Sequence, residues 1–250
     1  MIGIFDSGIG GLSVFREIRK VLPKEKYIYY SDNAHCPYGE KSKEYIIDRA
    51  REITDFMIAH GADVIVVACN TATAAAIRTL REEYDLPFIG MEPAIKPAAM
   101  ITKTGVVGVL ATAGTLKADK YKDTRGRYAD DVKVVEHIGQ GFVELVEKGI
   151  TTGPVAEDIV TESLEPMLDE GADTIVLGCT HYQFLAETIS KIAERLSPER
   201  DIRLIDPAPA VARHLYDIMN EKAIIKDDGF SIDLYSSGDP ALLNSMIHNL

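Results

Sequence analysis

The chain has 250 residues, 46% hydrophobic and 26% charged, with a formal net charge of −12. Ordinary apolar content without low-complexity tracts excludes disorder, and so acidic a chain repels phosphate backbones and anionic lipid, which excludes general nucleic-acid or membrane binding. Three cysteines, Cys36, Cys69 and Cys179, are too few and too scattered for a disulfide framework.

Short apolar runs alternate with longer amphipathic ones. The opening MIGIFDSGIGG has no basic region and carries Asp6 inside its apolar stretch, so a strand is expected there rather than a secretion signal. Strands are predicted over residues 2–5, 27–30, 64–68, 88–89, 105–110, 132–136, 174–177 and 202–205. None of these runs reaches the roughly 18 apolar residues of a membrane-spanning helix. The clearest helix runs from Ser42, a capping residue, to Gly61, with Ile46, Ala50, Ile53 and Met57 as one apolar stripe. Another runs from Pro154 to Gly171, with Val160, Leu164 and Leu168 on one face. This alternation predicts an α/β protein with parallel sheets covered by helices, and ligands beyond the carboxyl ends of the strands.

One internal repeat is present. GADVIVVAC at 61–69 and GADTIVLGC at 171–179 share six of nine positions, the cysteine included. A fainter echo pairs GIFDSG at 3–8 with GVLATA at 108–113. Two half-chains of one topology explain both, so two pseudo-symmetric lobes are expected. The change of lobe is placed near residues 91–97, where Pro93 and Pro97 are expected to break helix, and the return near 206–209. The first lobe is then 1–92 plus 206–250, and the second 93–205.

Cys69 and Cys179 each follow an apolar strand and precede a predicted helix start. A helix N-terminus favours a thiolate. Asn70, Thr71 and Thr73 stand beside one thiol, Thr180 and His181 beside the other, and such short polar groups suit carboxylate oxygens. A single cysteine after an apolar strand is commonly a small buried hydrophobe. Two in repeated context with polar partners point to function. There is no CxxC, and His35, Cys36, Cys69, Cys179 and His181 lack metal-ligand spacing, so no metal is expected. A cysteine hydrolase needs one thiol, not two. Two acid/base groups on opposite faces of one carbon use both, and invert a stereocentre.

The loop Asp6-Ser7-Gly8-Ile9-Gly10-Gly11 lets backbone approach a ligand. It is a poor dinucleotide fingerprint, because Ser13 stands where the third glycine belongs, and Asp32 at the ribose-acid position is read as incidental. Asp6 suits an ammonium group or a catalytic thiol. Pro37-Tyr38-Gly39 is turn-like, and its N–H groups could take a second carboxylate.

With DSGIGGLSV at 6–14, PYGEKS at 37–42, ACNTATA at 68–74, EPAIKPA at 92–98 and GCTHY at 178–182, the chain resembles the glutamate racemase family over essentially its whole length. The resemblance implies two α/β lobes with the active site in the cleft between them. It implies no pyridoxal phosphate, metal or nucleotide, a homodimer, and D-glutamate made for peptidoglycan; the cytoplasmic location is expected from the few, scattered cysteines. Cys69 would take the α-proton of the D-isomer and Cys179 that of the L-isomer, with Asp6 assisting the first and His181 the second. Asp6, Ser7, Tyr38, Gly39, Asn70, Thr71, Thr180 and His181 match substrate contacts. Pro37, Thr73, Thr115 and Glu147 are further candidates. The chain departs from the family pattern at Ala94, at Gln183 and at Ile138-Gly139-Gln140-Gly141. A racemase of aspartate or another acidic amino acid, and a non-catalytic two-lobe binding protein, remain the alternatives.

Overall fold

The computed structural model describes residues 1–91, 93–127 and 132–247. Glu92, the first residue of the EPAIKPA motif, lies outside them. The chain folds into two compact units, Met1–Met91 with Ala208–Leu250, and Glu92–Pro207. Each holds one parallel sheet flanked by helices.

The first unit contains β1 (Ile2–Asp6), α1 (Leu12–Val21), β2 (Lys26–Ser31), α2 (Lys43–Ala59), β3 (Val64–Val67), α3 (Asn70–Glu83) and β4 (Phe88–Gly90). The second contains α4 (Ile95–Ile101), β5 (Val106–Ala111), α5 (Ala113–Lys117), α6 (Asp119–Gly126), β6 (Lys133–Ile138), α7 (Phe142–Glu147), α8 (Pro154–Asp169), β7 (Thr174–Gly178), α9 (Ala186–Leu196) and β8 (Arg203–Ile205). The chain then returns to the first unit with α10 (Ala208–Glu221), β9 (Ser231–Ser236) and α11 (Ala241–Ile247).

The sheet orders are β4-β3-β1-β2-β9 and β6-β5-β7-β8, with every pairing parallel. Reading the second backwards matches β8, β7, β5 and β6 to β4, β3, β1 and β2. The strand that precedes Cys69 and the strand that precedes Cys179 therefore hold equivalent places. Both are buried along their whole length, as strands covered by helices on both faces require. In β2, Phe15 of α1 packs edge-on against Tyr27 at 5.2 Å. The next residue, Ile28, joins the cluster of Ile46, Ala50 and Ile53 from α2 with Ala76, Ile77 and Leu80 from α3. Successive strand side chains thus face opposite helix layers.

The repeat has a packing reason. Gly61 and Gly171 end α2 and α8 with φ of +88° and +93°, a left-handed backbone that glycine adopts without steric cost. Gly3 and Gly108 lie on the first strand of each unit. A Cβ there would meet Met57 Sδ at 2.8 Å in one and Met167 Cε at 2.2 Å in the other, with Ile65 and Ile175 next. The same four positions thus solve the same helix-on-strand contact twice.

Asp173 shows what the repeat's acid does. Its carboxylate accepts from Thr102 Oγ1 at 2.5 Å and from the N–H groups of Lys103 and Thr104 at 2.6 and 2.9 Å, which ties down the entry to β5. Asp63 plays the matching part in the first unit, where it pairs with the Met1 amino group and with Lys226. Burial on its own would raise the Asp173 carboxyl, but these donors together with Thr174 hold it below its ordinary 3.8. A carboxyl lowered on folding stabilises the fold above its unfolded value, and that gain disappears as pH falls through the folded value. Asp173→Asn is expected to cost about 2 kcal/mol at pH 6. The gap to wild type should narrow toward pH 3 in urea titrations, and a gap that stays constant would count against the role.

Two expectations are corrected, and one strand was not foreseen. Pro97 does not break helix; it sits in the first turn of α4, where an N–H would have no partner within the helix. The segment after Cys179 is a 3-10 helix, Thr180–Leu185, before α9 begins. Strand β9 was not expected. It is an edge strand beside β2, half exposed, and its short alternation Ile232-Asp233-Leu234 is a weak signal. Among the described residues, no helix is long and apolar enough to cross a membrane.

Candidate active site

In the first unit, the predicted residues gather at the carboxyl ends of β1, β2 and β3. Cys69 is the N-cap of α3, and its Sγ accepts from the Ala72 N–H at 3.4 Å. It lies 3.9 Å from Ser7 Oγ. The helix starts here because Cys69 is still extended and Asn70 begins the turn. Asp6, at the end of β1, is fully buried and accepts from the Gly11 N–H at 2.9 Å. The glycine is needed: a Cβ on Gly11 would sit 2.8 Å from Asp6 Cβ, 2.9 Å from Tyr29 Oη and 3.2 Å from Ala68 Cβ. Tyr29 Oη in turn donates to Gly8 O at 3.1 Å and holds the glycine loop.

Asn70 is 3% exposed, and neither its amide nitrogen nor its amide oxygen has a hydrogen-bond partner. Unsatisfied buried amides are costly, and a polar ligand would satisfy this one. Thr71 beside it is buried. Thr73 has a different task. Its hydroxyl donates to Val67 O at 3.0 Å and accepts from Met91 N at 2.9 Å, locking β3 to the chain after β4. Pro37 precedes the 3-10 turn Tyr38–Glu40, in which Tyr38 is buried and Gly39 half-buried. Tyr38 shares the apolar cluster of Cys69 and Ala72.

In the second unit, Cys179 ends the run of β7 and caps the 3-10 helix. Its Sγ lies 3.9 Å from His181 Nδ1, and His181 Nε2 lies 2.6 Å from Glu147 Oε1. Thiol, imidazole and carboxylate form one chain. Cys179, Thr180 and His181 are all buried. Thr115 is buried in α5, within 3.0 Å of the Thr112 hydroxyl that caps the same helix.

Tyr182 explains how Glu147 reaches His181. Its hydroxyl donates to Gly139 O at 3.2 Å, and its ring meets Phe142 edge-on at 4.8 Å. A Cβ on Gly139 would come within 2.6 Å of that ring. These contacts dock α7, and Glu147 is its last residue. Burial, with Cys179 and Glu144 nearby, pushes the Tyr182 phenol above its ordinary range, so it stays a neutral donor. Tyr29, Tyr182 and Gly139 were not singled out as functional from sequence. Their contacts span 21 and 43 residues of chain and leave no local pattern.

The family model described as Asp/Glu/Hydantoin racemase matches residues 2–215. The chain belongs to the Asp/Glu/Hydantoin racemase family. It is an isomerase, an amino-acid racemase. Among curated relatives, the glutamate racemase of Stutzerimonas stutzeri is 50% identical over 240 residues, covering 96% of this chain and 89% of its own. Among solved structures, glutamate racemase RacE1 of Bacillus anthracis has a TM-score of 0.86 at 32% identity, over 100% of this chain and 92% of its own. The Escherichia coli glutamate racemase, solved with L-glutamate and the activator UDP-MurNAc-ala, has a TM-score of 0.86 at 35% identity, over 99% of this chain and 94% of its own. The racemase fold thus carries two buried thiols at matching strand ends, each with its own polar partners.

Proposed function

We propose that this racemase interconverts L- and D-glutamate by proton transfer between Cys69 and Cys179, without a cofactor, and so supplies D-glutamate for peptidoglycan. The observation that carries the reading is the pair of buried thiols at topologically equivalent strand ends. One stands with Asp6 and Ser7, the other with His181 and Glu147. The relatives reported above are named glutamate racemases, which supports the substrate. A cytoplasmic location, in keeping with three cysteines that form no disulfide, and a homodimer, which the resemblance implies, belong to the same reading.

In the proposed reaction, the thiolate of Cys69 removes the α-proton of D-glutamate, and Cys179 gives a proton to the opposite face. The reverse direction exchanges the roles. The α-proton is weakly acidic, so preorganised hydrogen bonds must stabilise the carbanion-like transition state. Asn70 with its open amide, Ser7, Thr71, Thr180 and the N–H groups of Tyr38 and Gly39 are the groups proposed to hold the two carboxylates. Asp6 supports Cys69. The His181–Glu147 pair supports Cys179 by holding an imidazole ready to share its proton.

Polarimetry on each pure enantiomer, with no cofactor added, tests the function. Enantiomers have equal free energy, so rotation should decay to zero from either side. Constant rotation of D-glutamate, or faster turnover of aspartate, overturns the assignment.

A further inference from the structure

Asp32 is fully buried at the end of β2, where its N–H donates to Asp6 O at 2.9 Å. Its carboxylate receives four donors. Arg49, reaching in from α2, gives a two-pronged bridge, Nε to Oδ2 at 3.0 Å and Nη2 to Oδ1 at 2.7 Å. Tyr38 Oη donates to Oδ2 at 2.5 Å, and His35 Nδ1 lies 2.9 Å from Oδ1. Nothing in the racemisation chemistry above uses Arg49 or Asp32.

The bridge has a consequence for the loop between β2 and α2. The loop's first half is pinned by Asn33, whose side chain donates to Asp239 O at 2.7 Å and accepts from Gly238 N and Ser236 Oγ at 2.8 Å each. Its second half carries Tyr38 and Gly39, the residues proposed to meet a substrate carboxylate. That half is tied to β2 through the Tyr38 hydroxyl on Asp32. Burial alone would raise the Asp32 carboxyl, but Arg49, Tyr38 and His35 together keep it below its ordinary range. An ionised carboxylate only accepts, so the Tyr38 hydroxyl must donate to it. The Tyr38 hydroxyl is thus committed to Asp32, and the backbone N–H groups of Tyr38 and Gly39 are the donors proposed for a ligand. A buried carboxylate stripped of its countercharge takes up a proton or draws in water, and either change loosens the hold on Tyr38.

We propose that Arg49 is a positioning residue for substrate binding, acting through the Asp32 carboxylate and the Tyr38 hydroxyl to hold the Tyr38–Gly39 turn in its binding conformation. The proposal rests on the glutamate reading for its kinetic arm only.

The test uses the full chain. Arg49→Met should raise KM for both enantiomers about tenfold, the size of a lost hydrogen-bonded ion pair, with kcat changed by less than about threefold. Arg49→Lys, which keeps the charge and loses the fork, should recover part of that rise. Arg51→Met, which breaks an exposed pair of the same helix with Glu83, should leave KM unchanged. In a double-mutant cycle with Tyr38→Phe, the two KM effects should fall well short of multiplying, because both remove the same tie. Amide hydrogen exchange over residues 38–41 should accelerate about tenfold in Arg49→Met and not in Arg51→Met. Unchanged exchange, or effects that multiply fully, overturns the proposal. Accelerated exchange in a protein that does not turn over glutamate overturns the substrate reading and leaves the positioning role standing.

Discussion

Cys69→Ser and Cys179→Ser should each reduce kcat/KM for glutamate racemisation by about 10³-fold while leaving the fold intact. Positioned proton transfer contributes about 10²–10⁴-fold to rate, and a hydroxyl is a far weaker acid than a thiol. Either replacement removes one of the two proposed proton carriers and conserves the size of the side chain. Serine is nearly isosteric, and both cysteines sit at strand ends rather than deep in a sheet, so circular dichroism should be unchanged. Isotope uptake gives the second measurement. In heavy water, wild-type product should carry solvent deuterium while unreacted substrate keeps its protium, because in the proposed mechanism each thiol serves one face. A fully active single variant, or equal early labelling of both enantiomers, ends the two-thiol mechanism.

Gly11→Ala should destabilise the protein by about 1–3 kcal/mol, the cost of overpacking a filled site, and should lower activity by more than the unfolded fraction explains. The added Cβ would sit 2.8 Å from Asp6 Cβ, 2.9 Å from Tyr29 Oη and 3.2 Å from Ala68 Cβ. Asp6 Cβ and Ala68 Cβ are fixed to the backbone, and Tyr29 Oη is held by its bond to Gly8 O. Asp6 lies on β1, Ala68 directly precedes Cys69, and Tyr29 holds the Gly8 carbonyl. The methyl group therefore displaces the acid, the thiol's neighbour or the glycine loop. Urea titration gives the stability and saturated turnover the activity. Wild-type stability with wild-type kcat would show that the loop yields freely.

Position 6 of the first unit is an acid, and its echo in the second is Ala111. The second unit instead supplies its carboxylate from α7, through His181. The two thiols thus occupy equivalent places in their own units and differ in their support.

Strands β1 to β8 and the ends of α2 and α8 were legible from sequence, because apolar runs, Ser42 and the two left-handed glycines act within a few residues of the structure they specify. The paired cysteines and their polar neighbours were legible for the same reason: each stands next to its strand in sequence. Edge strand β9, the 3-10 turn after Cys179 and the helical place of Pro97 were not, since each depends on what lies beside it in space. Asp32 is the clearest case. Its acid, at the end of β2, looked incidental in sequence, and only the fold brings Arg49, seventeen residues on, to its side. Sequence alone determined strands β1 to β8 and the helix ends and singled out the paired cysteines as candidates, because periodicity, caps and turns are short-range. Tertiary structure decided which of those residues hold one another in place, because a buried charge finds its partner across the chain once water has been excluded.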